Sequence, residues 1–342
     1  MNASPIIHPD FLRRGEDLQN LMFALLKGGL NKQARDSLGL AIAKFVNRAA
    51  APALAGADTT ISPATKVAVN SLRTQGYAVI DDLLSKADIA EVYAYIKDKK
   101  VKFGGFDEVH KPGEAFVEDL PPDARFGHYK TADICRCPAI YRAVNNHELI
   151  KLITAYLGAP PTISSVSMWW SFPVELAAAG MQTYHHDRGD FRSCNMFCYL
   201  TDVSTTTGPH AFVPQTHEIE ILAPLAAQKF GSNPHLHQKF WQWMEQHRKE
   251  DDEVKYYFGD AMMEFIGPQG MCFLEDTRGL HKGTAPKSGK RLVFEIVFST
   301  LPKYNERFVP TPRSTLDFPP GIETDNAKID PLVRYATRLM YS

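Results

Sequence analysis

Twelve histidines are spread over the 342 residues, enough for a His-x-Asp triplet to arise about once by chance. Two occur, His8-Pro9-Asp10 and His185-His186-Asp187. The first has a proline at its centre and no strand pattern around it, so it reads as the chance match. The second lies in SFPVELAAAGMQTYHHDRGD, just ahead of a strand-like run. On an extended segment residues two apart point to one side, so His185 and Asp187 face one way and His186 the other. One imidazole and one carboxylate on a shared face are two corners of a two-histidine, one-carboxylate site, which leaves coordination positions open on iron(II). His281, in GMCFLEDTRGLHKG, is the candidate third ligand. Arg291 follows ten residues later at the head of a long apolar run. A guanidinium at a barrel mouth is suited to a two-point grip on a carboxylate. Singly, each residue has an ordinary explanation, since a histidine after a turn is usually structural and an arginine at a strand start usually meets solvent.

The elements that would position these residues follow from periodicity. Leu18, Leu21, Met22, Leu25 and Leu26 recur at helical spacing, and a second apolar helix covers Leu38 to Val46. AAAPALAGADTTISPAT then reads as a linker, so residues 1–64 form an N-terminal helical extension expected to pack on the main body or on another subunit. From Thr65 a short helix leads to Gly76 and the strand-like Tyr77-Ala78-Val79-Ile80. Ser85 with Asp88 three residues on is a capping box. Another helix starts at Asn145 or Asn146, carries Leu149, Ile150, Ile153 and Leu157, and stops at Gly158 before two prolines. Strands then dominate, at 163–172, 195–201, 211–214, 271–274 and 292–298, separated by Gly/Pro/Thr turns. Between Glu218 and Gly267 a polar, helix-like stretch interrupts them. The pattern is helices first, then one antiparallel β-sandwich or barrel over 65–302, with 303–342 as a C-terminal tail.

In this order the pieces resemble the phytanoyl-CoA dioxygenase family of iron(II)/2-oxoglutarate-dependent oxygenases, from about Ser71 to Ser299. GYAVIDDLLSKADIAEVYAYI is similar to the family's opening strand and helix, and YHHD to its aromatic-His-x-Asp element. GPHAFVPQTH is like the family's Gly-rich strand ending in Pro-Gly-Ser-His, with Gln215-Thr216 in place of Gly-Ser. GPQGMCFLEDTRGLH followed by Arg291 matches the distal histidine and cosubstrate arginine, although Gly270 lacks the acidic residue that commonly follows. The resemblance implies a mainly β fold with helical decoration, a double-stranded β-helix (jelly-roll, cupin-like) core flanked by N-terminal helices. His185, Asp187 and His281 would bind Fe(II), and 2-oxoglutarate would chelate it while Arg291 pairs with the far carboxylate. O2 would then drive hydroxylation of a C–H bond with release of succinate and CO2. Related halogenases have a small residue at the Asp187 position, so this sequence argues for hydroxylation over halogenation and leaves desaturation, ring closure and epimerisation open. Lys130, Met168, Asn195 and Thr284 fall where the family places residues beside the cosubstrate. His186 would point away from the metal yet could still reach substrate. His210, His217, His235 and His237 show no consistent metal spacing, and His217 reads as a fold element at a strand end.

Composition sets the outer limits. With 38 basic against 39 acidic side chains there is no overall field for a polyanion, which argues against nucleic acid as partner. Five cysteines, an odd number, do not form a disulfide framework and fit reduced thiols in a cytoplasm. No uncharged apolar run reaches membrane-spanning length, so no integral membrane association is expected. The partner is a small-molecule substrate, and the N-terminal apolar helices are compatible with a homodimer. The 218–267 segment, with its aromatics and mixed charge, is the candidate lid. The competing reading is a cupin-type divalent-metal binding or isomerase barrel without oxygen chemistry, because imidazole accepts zinc, nickel and copper as readily as iron. Arg291 separates the two, since such a barrel needs no carboxylate clamp.

Overall fold

Strand alternation builds the architecture. A computed structural model of the chain describes residues 20–80, 83–104, 111–302 and 310–342; Leu18, the His8 triplet and Asp81-Asp82 of the opening strand motif lie outside them. Among the described residues thirteen strands form two antiparallel sheets. The larger has the order β1 (Tyr77–Ile80), β11 (Cys272–Glu275), β7 (Ser193–Tyr199), β13 (Arg291–Ser299), β5 (Thr162–Ser171), β4 (Phe126–Tyr129), β2 (Val101–Phe103), β3 (Gly113–Ala115). The smaller has the order β10 (Met263–Phe265), β8 (His210–Phe212), β12 (His281–Gly283), β6 (Tyr184–His185), β9 (Arg248–Lys249). Strands β5 to β8, and again β10 to β13, alternate between the sheets, which is the double-stranded β-helix.

Period-two alternation divides the larger sheet into two faces. Met168, Trp170, Cys194, Met196, Cys198, Leu274, Leu292, Phe294 and Ile296 face outward into a core shared with the helices Pro63–Gln75, Lys86–Ile96 and His147–Leu157. The residues between them face the smaller sheet, where Trp169, Phe197, Tyr199, Phe212, Phe265, Phe273 and Val293 form a second apolar cluster. Phe265 and Phe273 stack at 3.9 Å across the gap between the sheets. All five cysteines are free and buried. No described helix is long and apolar enough to cross a membrane.

The helix signals act as expected. Ser85 and Asp88 form the capping box, Asn146 caps the Pro160-preceding helix through the amide of Leu149, and Gly158 closes it in the left-handed conformation. The N-terminal extension differs from its apolar reading. The Lys32–Ala50 helix turns Gly39, Ala43 and Val46 inward along with Lys32, Arg35 and Asp36, and leaves Leu38, Leu40 and Phe45 exposed. Close approach is the reason: a Cβ at Gly39 would stand 2.8 Å from the carbonyl oxygen of Phe191, and the buried charges have partners on the main body. The 218–267 segment forms the helices Ile219–Phe230, Pro234–Met244 and Asp251–Phe258. Leu222, Phe230, Phe240 and Trp243 pack with Tyr184, Ala211 and Val213 on the outer face of the smaller sheet.

Two features of this fold can be tested by stability. Gln215 is the one described non-glycine residue with positive φ, 66°, in the place where the similar family carries glycine. Left-handed backbone costs a side-chain-bearing residue roughly 1–2 kcal/mol, partly offset by the entropy that glycine loses. Gln215→Gly is therefore expected to stabilise the protein by about 1 kcal/mol, read as a higher urea midpoint. His128, on β4, stacks on Trp169 at 5.9 Å, and burial lowers its pKa from 6.5 to about 4. The unfolded chain takes up that proton first, so the stabilisation is complete above pH 6.5 and is lost as pH falls towards 4. Against His128→Phe, the wild type should lose about 3 kcal/mol between pH 7 and pH 4; parallel urea curves at every pH would contradict this.

Candidate metal and anion site

The smaller sheet supplies two of the three ligand candidates through one register. β6 pairs antiparallel with β12 so that His185 lies opposite His281, and the two rings come within 4.3 Å. Asp187 follows β6, and its N–H donates to the carbonyl of Thr277 at 2.7 Å, which ties it to the loop leading into β12. Its carboxylate stands 3.9 Å from His185 Nε2 and 4.0 Å from His281 Nε2. One ligand atom from each of the three lies within 4.8 Å of the others. Each histidine Nδ1 meets a backbone carbonyl two residues earlier, Thr183 for His185 at 2.9 Å and Gly279 for His281 at 3.1 Å. A backbone acceptor at Nδ1 puts the proton there and leaves the Nε2 lone pair turned to the carboxylate. Burial and the neighbouring His281 push the His185 pKa well below the usual histidine range, so its imidazole is neutral, as a metal ligand must be.

A buried ion cluster holds the loop that delivers His281. Arg278 donates to Asp276 Oδ2 at 2.5 Å, to Glu218 at 2.7 Å and to Asp36 at 3.4 Å, while Tyr156 donates to the same Asp276 oxygen. Arg278 holds the Asp276 carboxyl far below the ordinary carboxylate range. Three acceptors for one buried guanidinium join the Lys32–Ala50 helix, the 218–267 segment and the β11–β12 loop. In the same loop a Cβ at Gly279 would meet the Phe212 ring at 2.7 Å, so only glycine fits there.

The cavity between the sheets holds this triad at one side. Its walls include Phe126, Trp169, Phe197, Tyr199, Phe273 and Val293. Arg291 reaches it from the head of β13, buried, with Nη2 3.4 Å from Ser171 Oγ. Its Nε and Nη1 have no hydrogen-bond partner. Burial lowers the pKa of this group, yet a guanidinium does not deprotonate in a protein. A buried positive charge without a counter-ion is strongly unfavourable, so the cavity is built for an anion.

The other predicted site residues divide by strand parity. Asn195 faces inward and lines the cavity; its Nδ2 donates to Glu295 at 2.9 Å and its buried Oδ1 has no partner. Met168 stands on the outward face of β5 in the helix-backed core, one residue out of register with the cavity-lining Trp169. Lys130 sits at the surface, paired with Glu114 at 2.7 Å. Neither of these two is beside the cavity. Thr284 lies in the turn after β12 with a buried, unpartnered hydroxyl, and is not among the cavity-lining residues. His186 turns away from the triad, buried against Arg188 at 3.2 Å. The 218–267 segment lends no side chain to the cavity wall; from it His247 comes within 6.4 Å of the His185 ring.

Sequence reasoning passed over Glu275 and His210. Glu275 is fully buried, 2.9 Å from His210 Nε2 and 3.7 Å from His281 Nδ1, and burial raises its pKa to about 8. The signal was present in β11, where inward parity makes 273 and 275 a pair, which puts the glutamate between the sheets against the cavity-lining His210.

No family model and no curated protein matches this sequence. Solved structures do align with it. The non-heme alpha-ketoglutarate-dependent epimerase SnoN from nogalamycin biosynthesis is 15% identical, with 77% of this chain and 90% of that one covered and a TM-score of 0.46. HygX from Streptomyces hygroscopicus, with nickel and 2-oxoglutarate bound, is 12% identical over 73% of this chain and 91% of its own, at 0.45. EctD from S. alaskensis, with bound Fe, is 14% identical over 70% and 76%, at 0.41. The chemistry of this chain has to come from its own residues.

The triad predicts metal uptake. Titrated calorimetrically with Mn(II), the protein is expected to bind one ion, His281→Ala and Asp187→Ala to lose that binding, and His235→Ala to keep it. Retention of one-to-one binding by His281→Ala would remove it from the ligand set.

Proposed function

We propose that this chain is an iron(II)- and 2-oxoglutarate-dependent dioxygenase that hydroxylates a C–H bond of a small-molecule metabolite. The observation that carries the reading is the pairing, in one cavity, of a two-histidine, one-carboxylate donor set with a buried guanidinium that has no counter-ion. A metal site alone requires the first; only an anionic co-ligand explains the second.

The donor set fits iron(II): two neutral imidazoles and one carboxylate on one side of an ion leave the remaining positions open. Iron(II) bound there supplies the oxidising chemistry, in which O2 converts 2-oxoglutarate to succinate and CO2 and one oxygen atom passes into the substrate C–H bond. The chain's residues do the rest. His185 and His281, each oriented through Nδ1 by a backbone carbonyl, and Asp187, anchored through its own amide, would hold the metal. Arg291 fixes the far carboxylate of the 2-oxo acid and so sets the depth at which its keto-acid end sits. Phe197, Phe273, Trp169 and Val293 exclude water from the cavity, which strengthens the Arg291 contact by lowering the local dielectric. A carboxylate at position 187, where a small residue would leave room for a halide, favours oxygen transfer. We place the protein in the cytoplasm, consistent with five unpaired thiols.

Anaerobic reconstitution with Fe(II) followed by 2-oxoglutarate titration tests this reading. Bidentate chelation is expected to give a weak visible charge-transfer band. Arg291→Ala removes a charge-assisted pair, so a loss of about 2–3 kcal/mol, or tens- to hundredfold in affinity, is expected. Tight metal binding with no band at any 2-oxoglutarate concentration would return the protein to the cupin-type reading.

A further inference from the structure

His210 occupies the wall between the two halves of the proposed site. On β8 it pairs with Gly283 of β12, while the next inward residue, Phe212, pairs with His281. Gly283 lies under Arg291, since a Cβ there would stand 3.3 Å from Nη2. The His210 ring is parallel to that of His281, 5.6 Å away at 12°. A molecule spanning from the metal ligands to Arg291 therefore passes this ring, which lines the cavity. Phe197 at 4.7 Å and Phe273 at 5.5 Å pack around it. An imidazole among aromatics, where phenylalanine would pack as well, asks for a polar reason.

The hydrogen bonding supplies that reason. His210 Nε2 is buried in ion-pair contact with Glu275 Oε2, 2.9 Å away, yet neither this nitrogen nor either Glu275 oxygen makes a hydrogen bond. Each buried group left without a hydrogen bond keeps its desolvation cost uncompensated. Together with Arg291 Nε and Nη1, they concentrate unmet polar capacity on the stretch of wall that joins metal ligands to guanidinium.

We propose that His210, backed by Glu275, is a further binding residue for the 2-oxo acid, making a hydrogen bond to it between the metal end and Arg291. The proposal rests on the dioxygenase reading above. A turn of the ring brings it into hydrogen bonds with both the acid and Glu275, so that these groups are satisfied together.

The test uses the full chain loaded anaerobically with Fe(II), with 2-oxoglutarate as probe, its affinity read from the charge-transfer band, and Fe(II) affinity and thermal midpoint measured in parallel. His210→Phe keeps the aromatic packing and is expected to raise the Kd for 2-oxoglutarate about tenfold, the worth of one hydrogen bond, with Fe(II) affinity within twofold of wild type. Glu275→Gln should weaken 2-oxoglutarate in the same direction and by less. An unchanged 2-oxoglutarate Kd in His210→Phe overturns the proposal, as does an equal loss of Fe(II) affinity, which would place the residue's effect at the metal. Should His210→Phe fail to fold, His210→Gln is judged by the same two affinities. A wild-type protein that gives no band refutes the dioxygenase reading itself, and is told apart because no variant is needed to see it.

Discussion

The pairing of β6 with β12 is the interaction on which the site depends. It sets two imidazoles side by side from positions 96 residues apart in the chain, and a slip of one residue would turn His186 to the cavity and His185 to the back. β6 has two residues and β12 three, too short for their own ladder to fix the register. The register is imposed from outside: the Asp187 amide on the Thr277 carbonyl, Leu280 N–H on Thr216 Oγ1, and Val213 N–H on the Leu280 carbonyl. Arg278 and its three carboxylates lock the same loop from behind.

That buried cluster explains why the N-terminal helix belongs to the working structure. Asp36 contributes one carboxylate to Arg278 and accepts the Ile219 amide, and Lys32 donates to the His217 carbonyl at 2.5 Å. Removing one partner from such a group leaves an uncompensated buried charge, costing about 3–5 kcal/mol. The helix is thereby coupled to the loop that presents His281, about as firmly as a core residue would be.

Polar groups left without partners collect around the cavity: Arg291, His210, Glu275 and Asn195 all carry one. Desolvation without compensation is a cost that folding alone gives no reason to bear, and at this cavity an anion and a metal would relieve it.

The spacing in YHHD, a histidine in the TRGLH turn, the arginine ten residues on and the alternation of the long strands were all legible in order along the chain, because each depends on local periodicity or on residue chemistry. Helix caps at Ser85, Asn146 and Gly158 were legible for the same reason. The same parity turns 195, 275, 291 and 295 inward, but Asn195 came from the family resemblance and Arg291 from its chemistry, while Glu275 and Glu295 went unread. What only tertiary structure decided was relation: that His185 lies across from His281, that Met168 belongs to the outer core where Trp169 meets the cavity, that Lys130 is spent on Glu114, and that the 218–267 helices cover the back of the smaller sheet. Those depend on which strands become neighbours and on single-residue register, and no local pattern encodes either, since the energy that selects them comes from burying the two faces together.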